Sequence, residues 1–204
     1  MGCIELDYLA KKAGAFLLKD LQNTIDLFSS MVAATDKPVT AKIRIGWDAQ
    51  TINAVKVAQL LEGAGAKAIC IHGRTAQQKY AGKVNWTIMK QVKEKISIPV
   101  IANGDVDSIK TGEMLLSKTN CDLVMIGREA MHCPWIFSQK PVDIKDQIFR
   151  FIDLYIEYEK RQSAQEVADH VYWMLRDYET TEDTKKVHHL RTIPQIKRFV
   201  SRLS

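Results

Sequence analysis

Ile98-Pro-Val-Ile-Ala-Asn-Gly-Asp105 and, one helical period later, Cys121-Asp-Leu-Val-Met-Ile-Gly-Arg128 are two apolar runs that each close on a glycine and a charged residue. Runs of this length with turn residues at both ends read as strands, and the intervening Ile109 to Leu116, with Ile109, Leu115 and Leu116 on one side, reads as the helix between them. The same unit recurs upstream as Val39-Thr-Ala-Lys-Ile-Arg44 and Lys67-Ala-Ile-Cys-Ile-His72. The four runs begin at residues 39, 67, 98 and 121, intervals of 28, 31 and 23 residues, the length one strand–helix–strand unit requires. Helical periods over 21–35, 54–61 and 86–96 complete the alternation. Continuous apolarity along each run predicts a parallel sheet with both faces covered.

The chain has 204 residues, ample for one domain with a core but short of a whole (β/α)8 barrel, which needs about 250. At 46% apolar and 26% charged residues, composition excludes a disordered chain. No apolar run approaches the roughly 18 residues of a membrane span, and no secretory signal is readable at the start, so the cytoplasm is expected. Cysteines 3, 70, 121 and 133 are too unevenly spaced for a zinc or thioredoxin pattern. Cys70 and Cys121 lie in strands and read as buried thiols, and Cys133, beside Pro134, reads as structural.

After Pro134-Trp-Ile-Phe137 the rhythm changes to helices alone, over 144–160, 165–178 and 189–203, with Pro194 starting or kinking the last. The expected division is 1–140, a partial barrel, and 141–204, a helical domain with a core of Phe149, Phe151, Tyr155, Tyr158, Tyr172, Trp173 and Tyr178. Charge is uneven: residues 141–184 carry eleven acids against five bases, and 185–204 carry six bases and no acid. A basic tail of this kind permits an anionic partner.

Polar residues gather where each strand finishes: Lys42 and Arg44, then His72-Gly-Arg74, then Asn103-Gly-Asp105, then Gly127-Arg128. Chemistry in parallel sheets collects at that edge. Any one of these sets read alone is a helix cap or a solvated loop; four in succession read as a site. Asn103, Gly104 and Asp105 with Gly127 and Arg128 suit a phosphate, through bare backbone N–H groups, a guanidinium and a following helix N-terminus. Lys42 suits an electron-rich ring, and His72 a donor or proton carrier. Lys42, His72, Asn103 and Arg128 are therefore expected on one rim.

The chain resembles the flavin-dependent tRNA-dihydrouridine synthases, through Val39 to Trp47, Ile71-His-Gly-Arg-Thr75, Ile98 to Asp105, Val124-Met-Ile-Gly-Arg128 and Pro134 to Phe137 in that order. Gly2-Cys3 and Gly14-Ala-Phe-Leu-Leu18 resemble the family's reactive loop and the segment after it, with Ile4 where the family carries proline and Leu6 or Asp7 where it carries lysine. The resemblance implies the C-terminal half of a TIM barrel, strands five to eight, with strands one to four outside this chain. It implies reduction of tRNA uridine to 5,6-dihydrouridine, with FMN as cofactor and NADPH as electron donor. Lys42, His72, Asn103, Gly104, Asp105, Gly127 and Arg128 would then bind the cofactor, and Cys3 would protonate the uracil as general acid. Arg74 would face the substrate, and Lys185, Lys186, Arg191, Lys197, Arg198 and Arg202 would meet the tRNA. Half a barrel alone is expected to hold flavin weakly, to lack turnover and to self-associate through its sheet edges. The rival readings are a small-molecule flavin or phosphate-binding barrel enzyme, including an aldolase with Lys42 as its Schiff-base amine, and a non-catalytic tRNA-binding remnant.

Overall fold

The computed structural model describes residues 1–138, 142–176 and 184–203. Its sheet has four strands, β1 (Ala41–Arg44), β2 (Ile69–His72), β3 (Val100–Asn103) and β4 (Leu123–Met125), all parallel and in sequential order. Each crossover carries one helix: α3 (Ala54–Gly63), α4 (Trp86–Lys95) and α5 (Ile109–Thr119). Two further helices precede β1, α1 (Leu6–Ala10) and α2 (Leu21–Ala33), joined by a 3₁₀ turn at Gly14–Lys19. Sequential order never reverses here, so right-handed crossovers put every helix on the same side of the sheet. That is the winding of a barrel and not of an open doubly wound sheet, whose order reverses at a switch point. The architecture is consistent with half of a TIM barrel followed by a helical region.

The register separates two faces. Ala41, Ile69 and Val100 form one row and Ile43, Ile71 and Ala102 the next, all buried against Val57, Leu61, Met89, Val92 and Leu115 of the helices. The other face carries Lys42, Cys70, Ile101 and Leu123 in one row and Arg44, His72, Asn103 and Met125 in the next. This second face is covered in part: Cys70, Arg44, His72 and Asn103 are buried, whereas Lys42 is exposed and Leu123, on the last strand, is 57% exposed. A continuous apolar run predicts burial on both faces and does not reveal which face the helices of this chain cover.

The chain divides into two compact units, Met1–Gly127 and Arg128–Ser204. The expected junction at residues 140 and 141 falls outside the described residues. The second unit contains α6 (Arg128–His132), a 3₁₀ turn at Pro134–Phe137, α7 (Ile144–Tyr158), α8 (Ala164–Met174), a 3₁₀ turn at Lys186–His189 and α9 (Ile193–Ser201). Caps set the helix starts: Asp143 accepts from the Lys145 and Asp146 N–H groups, Ser163 from Glu166, and Thr192 and Gln195 form a capping box. Pro194 sits in the first turn of α9 and therefore starts that helix instead of kinking it.

The core of this unit is aliphatic, in contrast to the aromatic core expected. Ile148, Ile152, Val167, Val171, Leu175, Val187, Ile196 and Val200 are fully buried, whereas Phe149, Phe151, Tyr155 and Tyr172 pack around them. Tyr158 and Trp173 are exposed, and Tyr178 lies outside the described residues. The reason is the helical period: Ile148 and Ile152, four apart, own the inward stripe of α7, which turns Tyr155 and Tyr158 to its flank. There the Tyr155 hydroxyl donates to Glu166 Oε2 at 2.7 Å and accepts from the Ser163 N–H at 2.9 Å, which fastens the end of α7 to the start of α8.

Candidate functional site

The row formed by Arg44, His72 and Asn103 places three polar side chains side by side at the C-terminal edge of the sheet, with Lys42 two residues earlier on the same face. In a parallel sheet, partners in register point the same way, so strand pairing alone assembles them. Asn103 donates through Nδ2 to the Met125 carbonyl at 2.8 Å and so extends the ladder from β3 to β4. His72 is 7% exposed, and its Nε2 is enclosed without a hydrogen-bond partner.

Arg44 is 2% exposed and meets carbonyl oxygens instead of a carboxylate. Its Nε donates to Gly2 O at 3.0 Å, and its Nη1 donates to Thr75 O and to Lys79 O, both at 2.8 Å. The guanidinium thus ties the start of the chain and the loop after β2 to the end of β1. Cys3 is held from the other side, since its carbonyl accepts from the Ala15 N–H at 2.8 Å. Gly14 has φ +60° there, and a Cβ on it would stand 2.6 Å from Cys3 O. Only glycine combines that left-handed backbone with so close an approach. Cys3 itself is exposed.

Arg74 is 3% exposed, and the structure gives its guanidinium a protein partner. Its Nη1 and Nη2 pair with the two Asp105 oxygens at 2.8 and 2.5 Å, and its Nε and Nη2 donate to Gly82 O at 3.1 and 2.6 Å. The bidentate pair fixes Asp105, whose φ is +51°. The preceding Gly104 has φ +125°, and a Cβ on it would meet His72 Cδ2 and Val84 Cγ2 at 2.9 Å. Gly104→Ala is expected to lose about 2–4 kcal/mol through backbone strain and this clash, read as a lowered urea midpoint. An unchanged midpoint would show that the turn relaxes.

Charge around His72 is lopsided. Burial, and after it the Arg44, Lys42 and Arg74 cations, push the imidazole down to about 3, with Asp105 opposing. Burial also lowers the Lys42 amine and the Arg44 guanidinium, and it raises the Cys70 thiol to about 11. Among the described residues Lys42 has no carboxylate partner, so the rim offers positive charge beside a neutral imidazole. A folded-state value near 3 against an ordinary 6.5 means that between those pH values only the unfolded chain takes up the proton. The associated stability is therefore complete above about pH 6.5 and is lost progressively as pH falls toward 3, by up to roughly 1.4 kcal/mol per pH unit. In His72→Asn the stability measured by urea unfolding should fall less steeply between about pH 4 and 6. Parallel curves for both proteins would refute the assignment.

Gly127 is exposed at the end of the first unit, and Arg128 opens α6 in the second, so the first three of the four rim residues share one sheet and Arg128 belongs to the other unit. Lys185, Lys186, Arg191, Arg198 and Arg202 are exposed, whereas Lys197 is paired with Asp153 at 2.5 Å. A cleft of about 420 Å³ bounded by Ile52, Asn53, Lys56, Gln59, Ile88 and Gln91 includes none of the polar row. Sequence reading missed Arg44 as an anchor and Tyr80, which lies 5.8 Å from the Arg44 guanidinium and 6.4 Å from the His72 ring, ring centre to ring centre. Neither carries a local signal, because both contacts depend on how the loop after β2 folds back.

No helix among the described residues is long and apolar enough to cross a membrane. The family model for dihydrouridine synthase (Dus) matches residues 1–198. The chain is 35% identical over 193 residues to tRNA-dihydrouridine synthase B of Shewanella oneidensis, covering 86% of this chain and 59% of that protein. It is 43% identical over 139 residues to the protein of the same name from Pseudomonas syringae pv. tomato, covering 68% and 41%. With the Xanthomonas campestris pv. campestris protein of that name it shares 31% over 217 residues, covering 99% and 65%. The chain spans about half the length of the curated relatives it matches. By this match this chain belongs to the dihydrouridine synthase (Dus) family.

Proposed function

We propose that these residues are strands five to eight of a dihydrouridine synthase barrel with its helical tRNA-binding region, and that the complete enzyme reduces uridine in tRNA to 5,6-dihydrouridine with FMN and NADPH. The observation that carries the proposal is the row Arg44, His72, Asn103 above Lys42, with the Gly2-Cys3 segment anchored to the same strand end. A phosphorylated, electron-rich ring suits this donor set. Lys42 has no carboxylate partner among the described residues, the His72 Nε2 is buried and unpaired, and Gly104 leaves no room for a side chain. A buried ring nitrogen without a partner is costly, and a ligand that meets it would offset that cost.

In this reading Lys42 and His72 hold the flavin ring, and Asn103, Gly104, Asp105, Gly127 and Arg128 its phosphate. The strand-end residues do so partly through backbone, because the Asn103 amide and the Asp105 carboxylate already bind Met125 and Arg74. When bound, FMN supplies the hydride. Cys3 then gives its thiol proton to the uracil carbon that needs one, and neutral His72 contributes a hydrogen bond without adding charge. Arg74, engaged with Asp105, acts on the substrate side by holding the rim in shape. The uridine leaves its stack to reach the rim, and Lys185, Lys186, Arg191, Lys197, Arg198 and Arg202 meet the RNA backbone. The cytoplasm, where tRNA and NADPH are found together, is the proposed location.

A chimera tests this reading. Residues 2–198 of this chain replace the matching segment of the Shewanella relative, and bound flavin and NADPH-dependent dihydrouridine in tRNA are measured. Both are expected; a folded chimera that binds tRNA but retains no flavin would overturn the proposal and favour a tRNA-binding remnant.

A further inference from the structure

We propose that Glu129, His132 and Cys133 form a zinc(II) site in the helical unit, with a fourth position left to water or an external ligand. The carboxylate, imidazole and thiol atoms of the three residues all lie within 4.8 Å of one another. His132 Nδ1 stands 3.3 Å from Glu129 Oε1 and 3.9 Å from Cys133 Sγ. Tetrahedral zinc with bonds of about 2.0–2.2 Å to N and O and about 2.3 Å to S spaces its ligands at roughly 3.4 Å for N to O and roughly 3.6 Å for N to S. The two His132 separations lie within a few tenths of an ångström of those edges, and the Glu129 oxygen and Cys133 sulfur lie within 4.8 Å of each other, so a metal would draw on ligand atoms that are already gathered.

Local structure holds the three together. Glu129 and His132, three residues apart, share one side of α6, and the Cys133 N–H closes onto Glu129 O, which carries the helix to the thiol. Pro134 then opens the following 3₁₀ turn. The imidazole is 2% exposed, whereas Glu129 and Cys133 are half-buried, so two ligands remain reachable from solvent while the third is rigid. A burial gradient of this kind reduces the ordering cost of binding without closing the entry path.

The mixed donor set decides the ion. A thiolate beside an imidazole is too soft for magnesium or calcium, which prefer oxygen, and suits zinc, with cobalt(II) as a weaker spectroscopic substitute. Binding breaks the Cys133 S–H bond, forms an S–Zn bond and releases that proton to solvent. His132 ligates through Nδ1, the ring nitrogen that faces Glu129 and Cys133, which in the metal-bound form leaves the ring proton on Nε2. Zinc affinity therefore rises with pH and falls as the thiol is protonated.

The test is titration of the full 204-residue chain, reduced and freed of metal, with cobalt(II) followed by zinc. One equivalent of cobalt is expected to produce a thiolate charge-transfer band, which zinc abolishes, with about one proton released per zinc bound. Cys133→Ser should lose the band, and Glu129→Gln should weaken zinc by about tenfold or more, whereas Cys3→Ser keeps both band and affinity. Because His132 is buried, its substitution is avoided, and circular dichroism checks that each variant is folded. Absence of the band, binding unchanged in folded Cys133→Ser, or loss of the band in Cys3→Ser each overturns the proposal.

Discussion

Cys3→Ala, introduced into the chimera, should lower dihydrouridine formation by about 10²–10⁴ while bound flavin and its reduction by NADPH stay unchanged. That range is the worth of one positioned proton transfer, and the split between the two half-reactions is what makes the result diagnostic. An alanine at this exposed position removes a proton donor and leaves the anchors of the segment intact, since those anchors are the Gly2 and Cys3 carbonyls. Single-turnover measurement of dihydrouridine in tRNA, with flavin reduced beforehand, isolates the step. A rate within about threefold of the parent would remove Cys3 from the chemistry and leave the flavin reading standing.

Arg44→Met should destabilise the first unit by about 3–4 kcal/mol and release the first residues of the chain. Methionine replaces the volume but donates nothing, so Thr75 O is left buried and unpaired and Gly2 O and Lys79 O lose a charged donor. A buried unpaired acceptor costs about 1–3 kcal/mol and each lost bond to a charged group a similar amount, offset in part because a guanidinium no longer has to be desolvated. Urea unfolding reads the first effect and hydrogen exchange at Cys3 and Ile4 the second. Arg44→Lys should fall between, because one ammonium replaces a planar fork that reaches three carbonyls. Unchanged exchange at the first residues would mean that the Ala15 to Cys3 bond alone holds them.

The two variants probe different layers of one site. Cys3 is a reactive group on the surface, and Arg44 is a buried tie that places it. If Arg44→Met lowered catalysis only as far as it lowered stability, the tie would be structural; a loss larger than the unfolded fraction accounts for would mark it as positioning.

The strand–helix alternation, the four strands and their polar ends were legible along the chain because each rests on local chemistry. Apolar periodicity of two or 3.6 residues, turn residues at the boundaries and glycine where the backbone needs it act over a few neighbours. Lys42, His72 and Asn103 were legible for the same reason: each stands at the end of a strand, and parallel pairing in register then brings strand ends together. The caps that start α7, α8 and α9 belong to the same class of information.

What folding alone decided are contacts across long separations. Arg44 reaches back 42 residues to Gly2 and forward 31 to Thr75, and Arg74 meets Asp105 across 31. No spacing rule announces such a pair, because its formation depends on where two loops lie above the sheet. The partial cover of the second face of the sheet and the aliphatic core of the helical unit were settled at that level too. Which face a helix covers and which residue owns its inward stripe follow from packing against partners distant in the chain, and hydrophobicity read locally says that a residue is buried without saying against what.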